Sequence, residues 1–130
     1  MWFRILSILI GTALVGKSVI ALVAPKRFYG ARQRQYSSPA MPRKLLAGPM
    51  IVAAMTAASF YATIYHYVAW GWIVTTFLTG LLIMAIDHLF RWARHREAML
   101  RVVGSPKVRR VDWCLLALGA GFLNLGVFVY

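Results

Sequence analysis

The chain has 130 residues, of which 61% are hydrophobic, with a mean hydropathy of +0.67 and a formal net charge of +12. It is too apolar for a soluble domain of this length and long enough for one small domain. The single cysteine, Cys114, excludes an internal disulfide, a CxxC redox pair and a cysteine-rich metal site.

A membrane-spanning helix needs about 20 apolar residues at 1.5 Å rise each. Four stretches meet that length, at about 2–24, 45–65, 70–90 and 113–130. They predict an all-α integral membrane protein, a single membrane domain over 1–130, with four transmembrane helices arranged as two hairpins. Of the 15 Lys and Arg residues, all but Arg4 and Lys17 fall in the intervening segments 25–44 and 91–112.

The first span carries one Arg before a long apolar run, and Pro25 follows the only small-residue cleavage candidate, so it is expected to be retained. Lys17 is the one charge well inside a span. It lies roughly 10 Å of helical rise from the inner end, within reach of a snorkelling stem. The alternatives are an intramembrane pair with Asp87, near the inner end of the third span, and a substrate or proton role.

The first basic block, with Lys26, Arg27, Arg32, Arg34, Arg43 and Lys44, is punctuated by Pro25, Gly30, Pro39 and Pro42. That punctuation predicts an irregular crossing with at most a turn of helix. Pro49 should bend the second span or delay its start. Along that span Ala53, Ala54, Ala57 and Ala58 recur at close-packing spacing, as do Ala117 and Gly121 in the fourth, so spans two and four are expected to meet there. Thr56, Ser59, Thr63, Thr75, Thr76, Thr79 and Asn124 are expected to act as hydrogen-bonding glue between helices rather than to line a pore.

The second basic block contains Arg91, Arg94, Arg96, Arg101, Lys107, Arg109 and Arg110. Its apolar residues Trp92, Met99, Leu100 and Val103 gather toward one helical side, which predicts an amphipathic interfacial helix after the third span. Gly104 is expected to stop it in a left-handed cap, Pro106 to prevent its continuation and Asp112 to cap the fourth span. An offset of 67 residues aligns Ser38-Pro39 with Ser105-Pro106 and Arg43 with Arg110. Two repeated hairpins would produce that alignment, and so would any two basic loops.

Short loops rich in Lys and Arg stay on the cytoplasmic side. Both blocks are therefore predicted to be cytoplasmic and both termini non-cytoplasmic, in a plasma or energy-transducing inner membrane. Aromatic residues gather at both predicted boundaries, as at interfacial belts: Trp2, Tyr65, Trp70, Trp72 and Tyr130 outside, and Phe28, Phe90 and Trp113 inside. Bases that flank apolar spans face anionic lipid headgroups, and no nucleic-acid reading module accompanies them, so no nucleic-acid partner is expected.

The three histidines, His66, His88 and His95, do not form a ligand set in the sequence, because the first is separated from the others by most of a bilayer. No cofactor, metal or catalytic set is expected, whereas bound phospholipid is. The opening pattern of Arg4, Gly16-Lys17, Pro25 and Phe28 resembles the DoxX family of small membrane proteins over about the first thirty residues. The chain then departs into its long basic blocks, and no residue is carried over. The leading functional expectation is a non-enzymatic accessory subunit of a larger integral membrane complex, with larger membrane subunits and anionic lipids as partners. The alternatives are a small homodimeric transporter using Lys17 and a redox or pigment-binding role for an interfacial histidine.

Overall fold

The computed structural model describes residues 1–103 and 105–130, so the stop expected at Gly104 lies outside the described residues. The described chain is helical: α1 (Trp2–Val23), α2 (Pro25–Tyr36), α3 (Ala47–His66), α4 (Gly71–Phe90), α5 (Trp92–Val102) and α6 (Pro106–Asn124). A 3-10 turn, Arg43–Leu46, leads into α3, and a π-helical turn, Leu125–Val129, ends α6. Four helical stretches, Trp2–Val23, Arg43–His66, Gly71–Phe90 and Pro106–Val129, are long and apolar enough to cross a membrane, which supports a multi-pass membrane character.

The chain forms two compact units, one of Met1–Ser38 with Arg96–Tyr130 and one of Pro39–His95. In the first unit α1 runs antiparallel to α6. Its buried residues Phe3, Leu6, Ser7, Ile10, Gly11, Ser18 and Ala21 form a stripe at three- and four-residue spacing. The stripe meets Gly119 and Gly126, which are also buried. A Cβ on Gly11 would lie 2.8 Å from the Gly119 carbonyl oxygen, and one on Gly126 would lie 3.2 Å from the Arg4 carbonyl oxygen. These glycines let two backbones touch, which is how helices gain packing energy where lipid supplies no hydrophobic drive between them.

In the second unit α3 and α4 form an antiparallel hairpin. Its turn holds Tyr67 (φ 37°) and Trp70 (φ 64°) in left-handed backbone conformations. Pro49 falls in the first turn of α3, where a missing N–H costs no helical bond. The 3-10 turn before it delays the α-helix to Ala47. The predicted bend-or-delay is thus a delay. Grouping by contact therefore joins span one with four and span two with three, unlike the repeated hairpins that the offset alignment implies.

Two local expectations are corrected. The first basic block contains a 12-residue helix, α2, rather than an irregular crossing. Pro25 occupies its first turn, where proline is tolerated, and one internal glycine, Gly30, costs a helix only about 1 kcal/mol. Asp112 is not a cap. Ser105 caps α6, its Oγ accepting from the Lys107 N–H at 3.3 Å, while Asp112 lies well inside the helix and is buried.

Candidate functional site

The most charged interior place in the first unit is built around Asp112. A single carboxylate on an otherwise apolar helix face is costly unless it is satisfied. The Tyr29 hydroxyl of α2 donates to Asp112 Oδ2. Burial first, and then the neighbouring carboxylate, hold the Tyr29 phenol above its ordinary value. Lys17 on α1 and Arg32 on α2 share the neighbourhood, since both Arg32 and Asp112 act electrostatically on Lys17.

These residues line a cavity of about 280 Å3. Its polar lining is Lys17, Tyr29, Arg32 and Asp112, and the rest of the wall is apolar, from Phe28, Met99, Val102, Val103, Val108, Val111 and Leu115. A second cavity, of about 130 Å3, shares Tyr29 and Asp112 and adds Arg109. The Arg32 guanidinium lies 5.5 Å from the Phe28 ring centroid, within cation–π range.

Asp87, the residue considered as the partner of Lys17, has its own company in the second unit. Arg91 Nε lies 3.3 Å from Oδ1, and His95 Nε2 lies 2.6 Å from Oδ2. The His88 and His95 rings stack with centroids 4.7 Å apart. Among the described residues no group of three or more His, Cys, Asp or Glu side chains is arranged to hold a metal ion.

The bases of the two blocks divide by exposure. Lys26, Arg27, Arg34, Arg43, Lys44, Arg91, Arg94, Arg101, Lys107, Arg109 and Arg110 are exposed, and Arg32 and Arg96 are half-buried, as is Lys17 within α1. Arg96 Nε donates to the Tyr36 carbonyl at 2.7 Å and Nη2 to the Ser37 carbonyl at 3.2 Å. It satisfies carbonyls at the end of α2 that have no helical partner, a role its place in a basic block does not announce.

The chain matches no family model, no curated protein and no solved structure.

The hydroxyls of the second unit bond within the hairpin. Thr56 donates to the Val52 carbonyl at 2.7 Å and leans toward that of Leu78 across the hairpin at 3.3 Å. Thr63 and Thr75 meet Oγ1 to Oγ1 at 2.9 Å, and Thr79 bonds the Thr75 carbonyl. The small-residue faces picked out in the sequence lie elsewhere. Ala53, Ala54, Ala57, Ala117 and Gly121 are exposed, and Ala58 is half-buried. The seam that does close uses Gly11, Gly119 and Gly126. Its signal was available as small residues, Gly119 and Gly126, seven apart on α6, rather than four apart like Ala117 and Gly121.

Proposed function

We propose that this chain is a non-catalytic accessory subunit of a larger integral membrane complex. It joins its partners through small-residue helix faces and holds anionic lipid headgroups with its exposed bases. The observation that carries the reading is the exposure of Ala53, Ala54 and Ala57 on α3 and of Ala117 and Gly121 on α6. Against lipid a small-residue stripe gains nothing over Leu, whereas against another helix it permits close backbone approach. The same spans expose large side chains, among them Met50, Ile51, Ile64, Ile83 and Met84, which suit lipid or partner helices equally.

The bases that would hold headgroups are Lys26, Arg27, Arg34, Arg43, Lys44, Arg91, Arg94, Arg101, Lys107, Arg109 and Arg110. In the proposed topology they lie on the cytoplasmic face, where anionic lipid attracts each Lys or Arg by about 1 kcal/mol. Both termini then lie on the opposite side of a plasma or energy-transducing membrane. Reporter fusions at Met1 and Tyr130 that are active only in the cytoplasm would overturn this orientation.

Purification from native membrane in mild detergent tests the subunit role. A stoichiometric set of larger membrane proteins is expected, and Ala53→Leu with Ala57→Leu should release it while leaving the chain folded. A homodimer free of other proteins would instead favour the transporter alternative. That alternative needs Lys17 to face water, and the predominantly apolar lining of its cavity argues against a hydrated path.

A further inference from the structure

Lys17 and Arg32 bring two positive charges to the lining of the larger of these two cavities, close enough for Arg32 to act on Lys17, and a single carboxylate, Asp112, stands against them. That carboxylate is already engaged by the Tyr29 hydroxyl. Among the described residues neither Lys17 nor Arg32 has a hydrogen-bonded or ion-paired carboxylate. Arg109, exposed and lining the smaller cavity beside the same Asp112, adds to the positive excess. A cation facing an apolar cavity is expensive unless an anion joins it.

The cavity walls define the rest of the ligand. A dry cavity of about 150 Å3 holds a benzene-sized molecule. The 280 Å3 here therefore accommodates a head and the first part of one chain, not a whole lipid. Met99, Val103 and Val108 supply the apolar side, and Arg32 and Lys17 supply a donor fork and a point charge that suit phosphate oxygens.

We propose that this cavity is a specific site for one anionic membrane phospholipid. Its phosphate sits between Lys17 and Arg32, and its proximal acyl carbons lie against Met99, Val103 and Val108. The site is distinct from the diffuse headgroup contacts of the exposed bases, and it rests on the bilayer placement proposed above. It gives Lys17 a lipid phosphate as counter-ion, reached from the membrane interface along the cavity.

The test is native mass spectrometry of the full chain in non-ionic detergent, titrated with phosphatidylglycerol, phosphatidylcholine, oleate or inorganic phosphate. A one-to-one phosphatidylglycerol complex is expected, with weaker phosphatidylcholine, oleate and phosphate binding. Lys17→Met should weaken it roughly tenfold, the size of one lost charge-assisted hydrogen bond. Lys17→Arg should restore it. Val103→Phe, which fills the cavity and keeps every charge, should also weaken it, so the proposal does not depend on the folding of one variant. Gln33→Ala, exposed on the same helix as Arg32, should leave it unchanged. Equal binding of the two phospholipids, full binding by Lys17→Met and Val103→Phe, or equal affinity for oleate or inorganic phosphate would each overturn the site. A chain that fails to fractionate with membranes would overturn the bilayer placement instead, and the two failures are therefore distinct.

Discussion

The two units join helices in opposite ways. In the first, α1 and α6 close on glycine, with backbone against backbone, and they tolerate charge at one end of the seam. In the second, α3 and α4 are joined by hydroxyls that bond carbonyls and each other, with no charge along the contact. Glycine contacts act over short range and fail abruptly when a methyl is added. Hydroxyl contacts are each worth about 0.6 kcal/mol and fail gradually. Burial follows the same division: 33% of the most apolar stretch of α1 is buried, against 17% in each of α3 and α4.

The sharpest way to break this contrast is Gly11→Ala. The added Cβ would stand 2.7 Å from Leu123 Cγ and 2.8 Å from the Leu123 nitrogen and the Gly119 oxygen, and the two backbone atoms have no rotamer to give. A loss of about 3 kcal/mol, at the upper end of ordinary overpacking, is expected in detergent unfolding. An unchanged midpoint would mean that the seam is loose.

Tyr29→Phe should cost about 2 kcal/mol, because it strips a buried carboxylate of its hydroxyl donor. This effect should also depend on pH. The folded-state phenol is held above its ordinary value, so its contribution is complete below the unfolded value of about 10 and is lost as pH rises through the folded one. The gap between wild type and variant should be flat near neutrality and close in alkali. A gap that widens above pH 10 would contradict the assignment.

Thr63→Val should cost only about 0.6 kcal/mol, measured by the same unfolding assay. The modest figure has a proton-counting reason. Thr63 and Thr75 own one hydroxyl hydrogen each, yet three bonds are in range: to the Ser59 carbonyl, to the Gly71 carbonyl and to each other. One of those three bonds is always unmade, so the deletion of one partner is partly absorbed. A loss above 2 kcal/mol would show the hairpin to be as brittle as the glycine seam.

The smallest effects belong to glycines off the seam. Gly16→Ala and Gly121→Ala meet open space, and each should stabilise by about 0.5 kcal/mol through the unfolded chain. Destabilisation by Gly121→Ala only in the native assembly would locate a partner helix at that face.

The first three spans were legible because each long apolar run resolved into a helix with ends near its polar boundaries, whereas α6 starts at Pro106 and runs through its basic flank. α5 was legible because Trp92, Met99 and Leu100 recur at helical spacing. α2 was not, since Pro25 and Gly30 read as breakers until their exact helical positions were known. Asp112 was misassigned for a related reason: a carboxylate just before an apolar run has the sequence appearance of a cap, and only the actual start of α6 at Pro106 turns it inward toward Tyr29. The cavity around Lys17 was illegible because it needs residues 17, 32 and 112, which no local spacing relates.

The antiparallel pairing of α1 with α6 has a consequence for biogenesis. Phe3 packs on Tyr130 with ring centroids 5.7 Å apart, so α1 meets its partner only after the α3–α4 hairpin has been made between them. During synthesis α1 must wait, its buried stripe uncovered, until α6 emerges, whereas the α3–α4 hairpin can close as soon as it emerges. A nascent chain stalled before residue 119 would thus carry a finished hairpin and an unpaired first helix, the form in which an insertion chaperone would find its most durable grip.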